Sequence, residues 1–376
     1  MSSSVKIEGF VAAGFERVRA AFAENFSAGR EVGASFALVR DGELVVELWG
    51  GFKDRARTKP WTRDTLINVY STTKGLAATC IAHLVERGTL SYEQTVASVW
   101  PEFAAEGKQS LTIAQLLSHQ GGLSGLRDTI AIRDYADHAK IARALAAQQP
   151  FFAPGQSGYH AITHGYLAGE LVRRATGKTL GAYFAEEIAR PLGADAWIGL
   201  PESEDARAAE MVAPPEGPNM PPPEHPAARA ALANPALEPE VPNQRWWRAA
   251  EIPAANGHAT AAALARLYGM LARGGEQNGR RFLSAATLAA ATRERVSGRD
   301  LVLQVPMRWA AGFLLNDGLT YGDNEHTFGH SGWGGSFGAA DPDAKLGFGY
   351  AMNQMYPNLI GDPRSLDLIG AVYASL

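Results

Sequence analysis

The 376-residue chain has a single cysteine, Cys80, so it cannot form an internal disulfide or a Cys-based zinc site. No uncharged apolar run approaches the ~20 residues that a membrane-spanning helix needs. The opening Met-Ser-Ser-Ser-Val-Lys-Ile-Glu-Gly-Phe has none of the apolar core of a secretory signal, and the expectation is a cytoplasmic protein. Charge of neither sign prevails. Against 39 Asp and Glu stand 35 Lys and Arg, a net −4, which gives no basic footprint for nucleic acid or an anionic membrane. No internal repeat is present. What remains is 46% apolar, 20% charged and 9% aromatic, the composition of a packed globular protein with room for one large domain or two modest ones.

Phe10, Phe15, Val18 and Phe22 recur at helical spacing and predict a helix from about 10 to 26. The runs Ala34–Arg40 and Glu43–Trp49 flank Asp41-Gly42, the pair that a tight hairpin turn requires, because both central positions want φ > 0. From Thr72 the pattern is helical again, with Leu76, Cys80, Leu84 and Val85 on one side and an end near Gly88. Residues 91–206 read as helices and loops without a strand. About half of the proline lies between Pro214 and Pro242, including Pro221-Pro222-Pro223. That composition predicts a long loop, either a surface excursion or a lid over a pocket. A helix follows at 259–274, then strands at 307–315, 334–340 and 346–353, with a turn at Asp341-Pro342-Asp343-Ala344. A last helix opens near Asp362-Pro363. Strands at both ends with helices between predict one antiparallel sheet interrupted by a helical insertion.

Ser71-Thr72-Thr73-Lys74 places a hydroxyl and an ammonium one helical turn apart at a helix start. A serine hydroxyl is a poor nucleophile until a base takes its proton, and lysine can serve when burial depresses its pKa. Pro154-Gly155-Gln156-Ser157-Gly158-Tyr159-His160 leads into another helix and can project a phenol into a cleft, where an ammonium would hold it as phenolate. The alternative is a core tyrosine capped by backbone. His330-Ser331-Gly332, followed by Trp333-Gly334-Gly335, precedes a strand; its glycines allow close backbone approach to a ligand, or simply form a bulge.

In this order and spacing, Ser71-x-x-Lys74, Tyr159 and His330-Ser331-Gly332 resemble the motifs of the penicillin-recognising serine hydrolases. The chain is similar to class C β-lactamases and more so to the family VIII carboxylesterases. Asp64-Thr65-Leu66, the run from Gln115 to Leu123, Arg190-Pro191-Leu192-Gly193 and Asn256-Gly257-His258-Ala259-Thr260 extend the likeness over nearly the whole chain. The resemblance implies an α/β (α+β type) β-lactamase-like fold. A sheet domain from 1–85 and 250–376 would flank a mostly helical domain, 86–249, with the proline-rich loop at 213–242. It makes Ser71 the nucleophile, Lys74 and Tyr159 one coupled proton-handling unit, and the amides of Ser71 and Trp333 the oxyanion hole. Gln120, His160, His330, Ser331 and Gly332 would face the substrate. No cofactor or metal is implied, and the partner is a small ester.

Two departures steer the substrate. Class C β-lactamases have Tyr-x-Asn where this chain has Tyr159-His160-Ala161, and Lys-Thr-Gly where it has His330-Ser331-Gly332. The amide that grips a β-lactam side chain is missing, and a permanent cation is replaced by a histidine mostly neutral near pH 7. A short neutral ester fits better than a carboxylated β-lactam. A β-lactamase, D-peptidase or amidase on the same nucleophile is the alternative, and a penicillin-binding-like ligand sensor the non-enzymatic one. Gly334-Gly335-Ser336-Phe337-Gly338 matches the nucleophile elbow of α/β-hydrolases, but no histidine follows it to complete a triad. His160 and His164 stand one turn apart as in a zinc site without its glutamate; the expectation is one ring toward the cleft and one toward solvent. Trp246-Trp247 either lines an acyl pocket or packs the loop onto the body.

Overall fold

The computed structural model describes residues 5–216, 223–318, 320–357, 359 and 361–376. Its strands are β1 Ile7–Val11, β2 Gly33–Arg40, β3 Glu43–Gly51, β4 Ile67–Asn68, β5 Ala196–Ile198, β6 Gly257–Ala259, β7 Glu276–Gln277, β8 Arg280–Arg281, β9 Val296–Arg299, β10 Pro306–Trp309, β11 Leu314–Leu315, β12 Phe328–Ser331, β13 Phe337–Asp341 and β14 Leu346–Met352. Nine of them form one antiparallel sheet in the order β1-β3-β2-β14-β13-β12-β11-β10-β9. The two ends of the chain meet where β2 pairs with β14, Arg40 opposite Leu346 and Ala34 opposite Met352. The β2–β3 hairpin turns at Asp41 and Gly42, both with positive φ, as the dipeptide predicts.

Every residue of β14 is buried, so both faces of the sheet centre are covered. Successive side chains of a strand point to opposite faces. Gly347 and Gly349 face the helix Ala261–Ala272, and a Cβ on either would fall about 2.1 Å from helix backbone atoms. Phe348, on the other face, packs against Tyr373 of the C-terminal helix Pro363–Tyr373, which in turn packs on the helix Glu16–Ser27. Proline opens that C-terminal helix as expected, and Asp362 caps it by accepting from Arg364 N–H.

Some local expectations need correction. Phe10 does not begin a helix; it lies in β1, opposite Glu47 of β3, where edge-strand hydrogen bonds fix it and its ring stays exposed. The strand predicted over 307–315 is broken into β10 and β11 by a turn in which Gly312 takes φ +90°. Within 91–206, β5 does form. At three residues it is too short to display alternation, and it owes its state to pairing with β6. The proline-rich stretch is not all loop. Pro226–Leu232 is helical, opened by its own proline, and four of its alanines are buried against the body. Pro221 and Pro222 lie outside the described residues. No described helix is long and apolar enough to cross a membrane.

Candidate active site

A three-stranded sheet, β4-β6-β5, sets the start of the helix Thr73–Glu86, which directly follows the turn holding Ser71. Val69 N–H donates to Gly257 O (2.8 Å), and Gly257 N–H returns to Thr73 Oγ1 (2.8 Å). A Cβ at 257 would press to 2.6 Å from that hydroxyl, so the close approach requires glycine. Tyr70, directly before Ser71, is held at φ +42°, a left-handed conformation that costs a tyrosine roughly 1–3 kcal/mol. Packing holds it there: its ring leans on Trp333 and its hydroxyl donates to Pro239 O (2.6 Å) of the proline-rich stretch.

Ser71 Oγ lies 2.9 Å from Lys74 Nζ and 2.8 Å from Tyr159 Oη. The Lys74 nitrogen has two more acceptors, Ala161 O (2.7 Å) and Ala254 O (3.0 Å), and sits 4.8 Å from the Tyr159 ring centroid. Complete burial drives the Lys74 pKa well below its ordinary value. A neutral amine matches this geometry: two N–H bonds go to the two carbonyls and the lone pair faces the serine hydroxyl. The phenolate expectation meets the opposite trend. Burial pushes the Tyr159 phenol upward, the Ser71 hydrogen bond opposes this, and the Asp300 charge adds to it. Both members of the pair are desolvated, and the uncharged amine with the uncharged phenol is the state that burial favours.

Ser71 and Tyr159 line one cavity with His330, Ser331 and Trp333, closed by the apolar side chains Leu303, Met307, Trp309, Leu314 and Leu359. Trp309 stacks on Tyr159, the planes 10° apart with centroids at 5.6 Å. His330 Nδ1 donates to Ser331 O (2.8 Å), which leaves Nε2 as an acceptor, buried without a partner among the described residues. Burial pushes His330 down to about 3, so the wall is uncharged at neutral pH. Gly332 N–H is used within the turn, donating to Ser336 O (2.7 Å). The amides of Ser71 and Trp333 have no acceptor outside regular ladder bonds among the described residues. Behind Trp333, Arg364 donates to Gly334 O (2.7 Å) and Ser365 to Gly335 O (2.9 Å), so the C-terminal helix clamps this turn.

Of the residues expected to face substrate, His330 and Ser331 line the cavity, whereas Gly332, Gln120 and His160 do not. His160 is wholly buried, its Nδ1 donating to Gly158 O (2.7 Å) and its Nε2 accepting from Leu123 N–H (3.0 Å). Gln120 spends its amide on Ser118 Oγ and Gly155 N–H. His160 and Gln120 are committed to backbone and neighbouring side chains, away from the cavity lining. Nor does His164 reach solvent: it is buried, with Nε2 3.2 Å from Leu117 O. Ser336 is a buried clip, its hydroxyl donating to Val69 O (2.9 Å) beside the Ser71 segment. Trp247 is fully buried and donates to Asn68 Oδ1 (3.1 Å), and neither it nor Trp246 lines the cavity. Sequence reasoning missed Trp309 and Asp300. The alternation of Met307 and Trp309 in one strand could have indicated a shared face. Nothing local linked Asp300 to Tyr159, whose N–H it accepts at 2.9 Å.

A Ser-x-x-Lys helix start set between a broad antiparallel sheet and a helical layer is the frame of the penicillin-recognising serine hydrolases. The chain belongs to the Beta-lactamase family, which it matches over residues 18–370, and is a β-lactamase-related serine hydrolase. It is 38% identical over 373 residues to Esterase/beta-lactamase LipL of Mycobacterium tuberculosis, covering 92% of this chain and 82% of that one. The crystal structure of a family VIII carboxylesterase superposes with a TM-score of 0.95 at 51% identity, covering 99% of this chain and all of the other. A penicillin-binding protein homologue from Caulobacter crescentus does so with a TM-score of 0.95 at 49% identity and the same coverage.

Proposed function

We propose that the chain hydrolyses short, neutral carboxylic esters through an acyl-enzyme on Ser71. The observation that carries this reading is the meeting of Lys74 Nζ and Tyr159 Oη on Ser71 Oγ at the edge of an uncharged, largely apolar cavity. The neutral Lys74 amine takes the Ser71 proton as Oγ attacks the ester carbonyl. The amides of Ser71 and Trp333 receive the developing oxyanion. Tyr159 gives its proton to the departing alkoxide and regains one from the Lys74 ammonium, so the pair ends as it began. Deacylation repeats the sequence with water as the nucleophile. In this reading 86–249 acts as one domain and brings Tyr159, while 1–85 with 250–376 acts as the other and brings Ser71, Lys74, His330 and Trp333.

Esters are favoured over carboxylated β-lactams because His330 is neutral and Ala161 has no side-chain amide to offer. The family VIII carboxylesterase likeness supports the same choice. Opening of β-lactams or amides on the same nucleophile is the second reading, favoured by the name of the LipL relative and by the penicillin-binding homologue. The test compares a p-nitrophenyl ester, its isosteric amide and nitrocefin on the wild type and on Ser71→Ala. Ester turnover should dominate and vanish in the variant, with the fold intact by thermal melting. Lys74→Ala should lose roughly 10⁴-fold in kcat. Nitrocefin turnover on the scale of the ester would move the assignment to the second reading, and stoichiometric acylation without turnover would make the chain a sensor.

A further inference from the structure

Asp300, in the turn between β9 and β10, is completely buried. A single oxygen, Oδ1, accepts three backbone N–H groups: Val302 (2.9 Å), Leu303 (3.0 Å) and, 141 residues earlier in the chain, Tyr159 (2.9 Å). Its other oxygen, Oδ2, is buried without a partner among the described residues. The turn closes on itself through Asp300 N–H to Val305 O (3.0 Å) and Gln304 N–H to Asp300 O (2.9 Å). It is hooked to the tyrosine segment a second time by Leu301 N–H to Ser157 O (2.8 Å). The same turn carries Leu303, three residues from Asp300, into the lining of the cavity that Tyr159 also lines.

A buried carboxylate that served packing alone would be costly, since a buried charge needs its lone pairs satisfied. Here the satisfied oxygen gathers the main chain of the phenol and the main chain of the cavity wall onto one atom. We propose that Asp300 is a positioning residue that sets the Tyr159 phenol and the Leu303 wall of the acyl cavity in a common register. The proposal rests on the reading of Tyr159 as a proton-handling residue.

The test measures kcat and kcat/KM for p-nitrophenyl esters from acetate to octanoate, normalised to active sites by burst titration, in Asp300→Ala and Asp300→Asn. A misplacement near 1 Å can cost ~10²-fold, so Asp300→Ala should lose roughly 10–10²-fold in kcat. Its acetate-to-octanoate preference should change together with kcat, because the wall moves with the phenol. Asp300→Asn keeps an acceptor oxygen for the three N–H groups and should recover most of both. Wild-type kcat and chain-length preference in Asp300→Ala, a change in one without the other, or no recovery in Asp300→Asn would overturn the proposal. If the alanine variant does not fold, Asp300→Glu, longer by one methylene, must show the joint change, and wild-type behaviour there overturns it equally. Full kcat in Tyr159→Phe would instead remove the role of Tyr159 itself, while leaving the Leu303 arm of the experiment readable.

Discussion

Two histidines, each in a tripeptide that departs from its class C counterpart, occupy nearly the same environment and do different things. His160 follows Tyr159, His330 precedes Ser331, both are buried, and burial pushes both down to about 3. Each donates through Nδ1 to a backbone carbonyl. They differ at the other nitrogen. His160 Nε2 accepts Leu123 N–H, whereas His330 Nε2 has no partner among the described residues and its ring lines the cavity beside Ser71. Burial and charge state therefore do not separate a structural histidine from one at a site. In this pair the second nitrogen differs together with the place of the ring on the cavity wall. A free nitrogen alone does not mark a site, since His164 Nδ1 is likewise buried without a partner among the described residues and lines no part of this cavity.

The largest effect that sharpens this comparison belongs to Tyr159, which presents its phenol to Ser71 while its neighbour His160 turns inward. Tyr159→Phe keeps the ring stacked on Trp309 and removes only the oxygen. It should lose roughly 10²–10⁴-fold in kcat, the usual worth of a proton-transferring group. In the proposed mechanism the neutral Lys74 amine takes the Ser71 proton, so kcat/KM should rise with pH as Lys74 deprotonates, below the ordinary lysine range. That limb should stay in place in Tyr159→Phe, because it belongs to Lys74. A limb that disappears with the phenol would make a phenolate the base.

The motifs were legible because they are local. Ser71-x-x-Lys74 needs only helical spacing, the Asp41-Gly42 turn only its own φ preferences, and the strands beside it only their β-rich composition. The facing of His160 was not legible. Whether its ring reaches a cleft or Leu123 N–H depends on the loop from Gly121 to Leu123, which folds against the start of the helix Thr163–Thr176. Asp300 was hidden for the same reason, its partner Tyr159 being 141 residues away. Short strands such as β4, β5 and β6 carry no periodicity of their own and exist through pairing with one another. The proline-rich stretch misled in the other direction: proline suits the first turn of a helix as well as a loop, and Pro226 takes the former role.

The next effect is at His330. His330→Leu fills a similar volume, removes the free acceptor, and leaves the cavity apolar at that point. Losing one hydrogen bond to a bound substrate costs ~1 kcal/mol or somewhat more, so kcat/KM for esters bearing a donor near the acyl group should fall roughly five- to tenfold. Esters without such a donor should change less. Removing an unsatisfied buried nitrogen offsets the lost bond to Ser331 O, and the thermal midpoint should move little. Equal loss for both ester types would mean that His330 shapes the wall and accepts nothing.

The smallest kinetic effect, and the clearest contrast, is expected at His160. His160→Leu leaves Leu123 N–H and Gly158 O buried without their partner, each costing ~1–3 kcal/mol of stability, while kcat per active site should stay near wild type. Acid supplies a second reading of the same residue. Its folded pKa is depressed from 6.5 to about 3, so the unfolded chain binds its proton first as pH falls. The stability that His160 contributes is complete above about pH 6.5 and is lost progressively toward pH 3. The deficit of His160→Leu relative to wild type should therefore shrink between about pH 7 and about pH 4.5, measured by urea unfolding at each pH. His330→Leu should change in the same direction over the same interval, since that ring too is pushed down to about 3. The two histidines would then be alike in their response to acid and unlike in turnover and in stability at neutral pH. A deficit in His160→Leu that stays constant with pH would show that the folded ring takes up its proton as readily as the unfolded one, which the hydrogen bond accepted from Leu123 N–H does not allow, and would overturn the assignment of Nε2 as a committed acceptor.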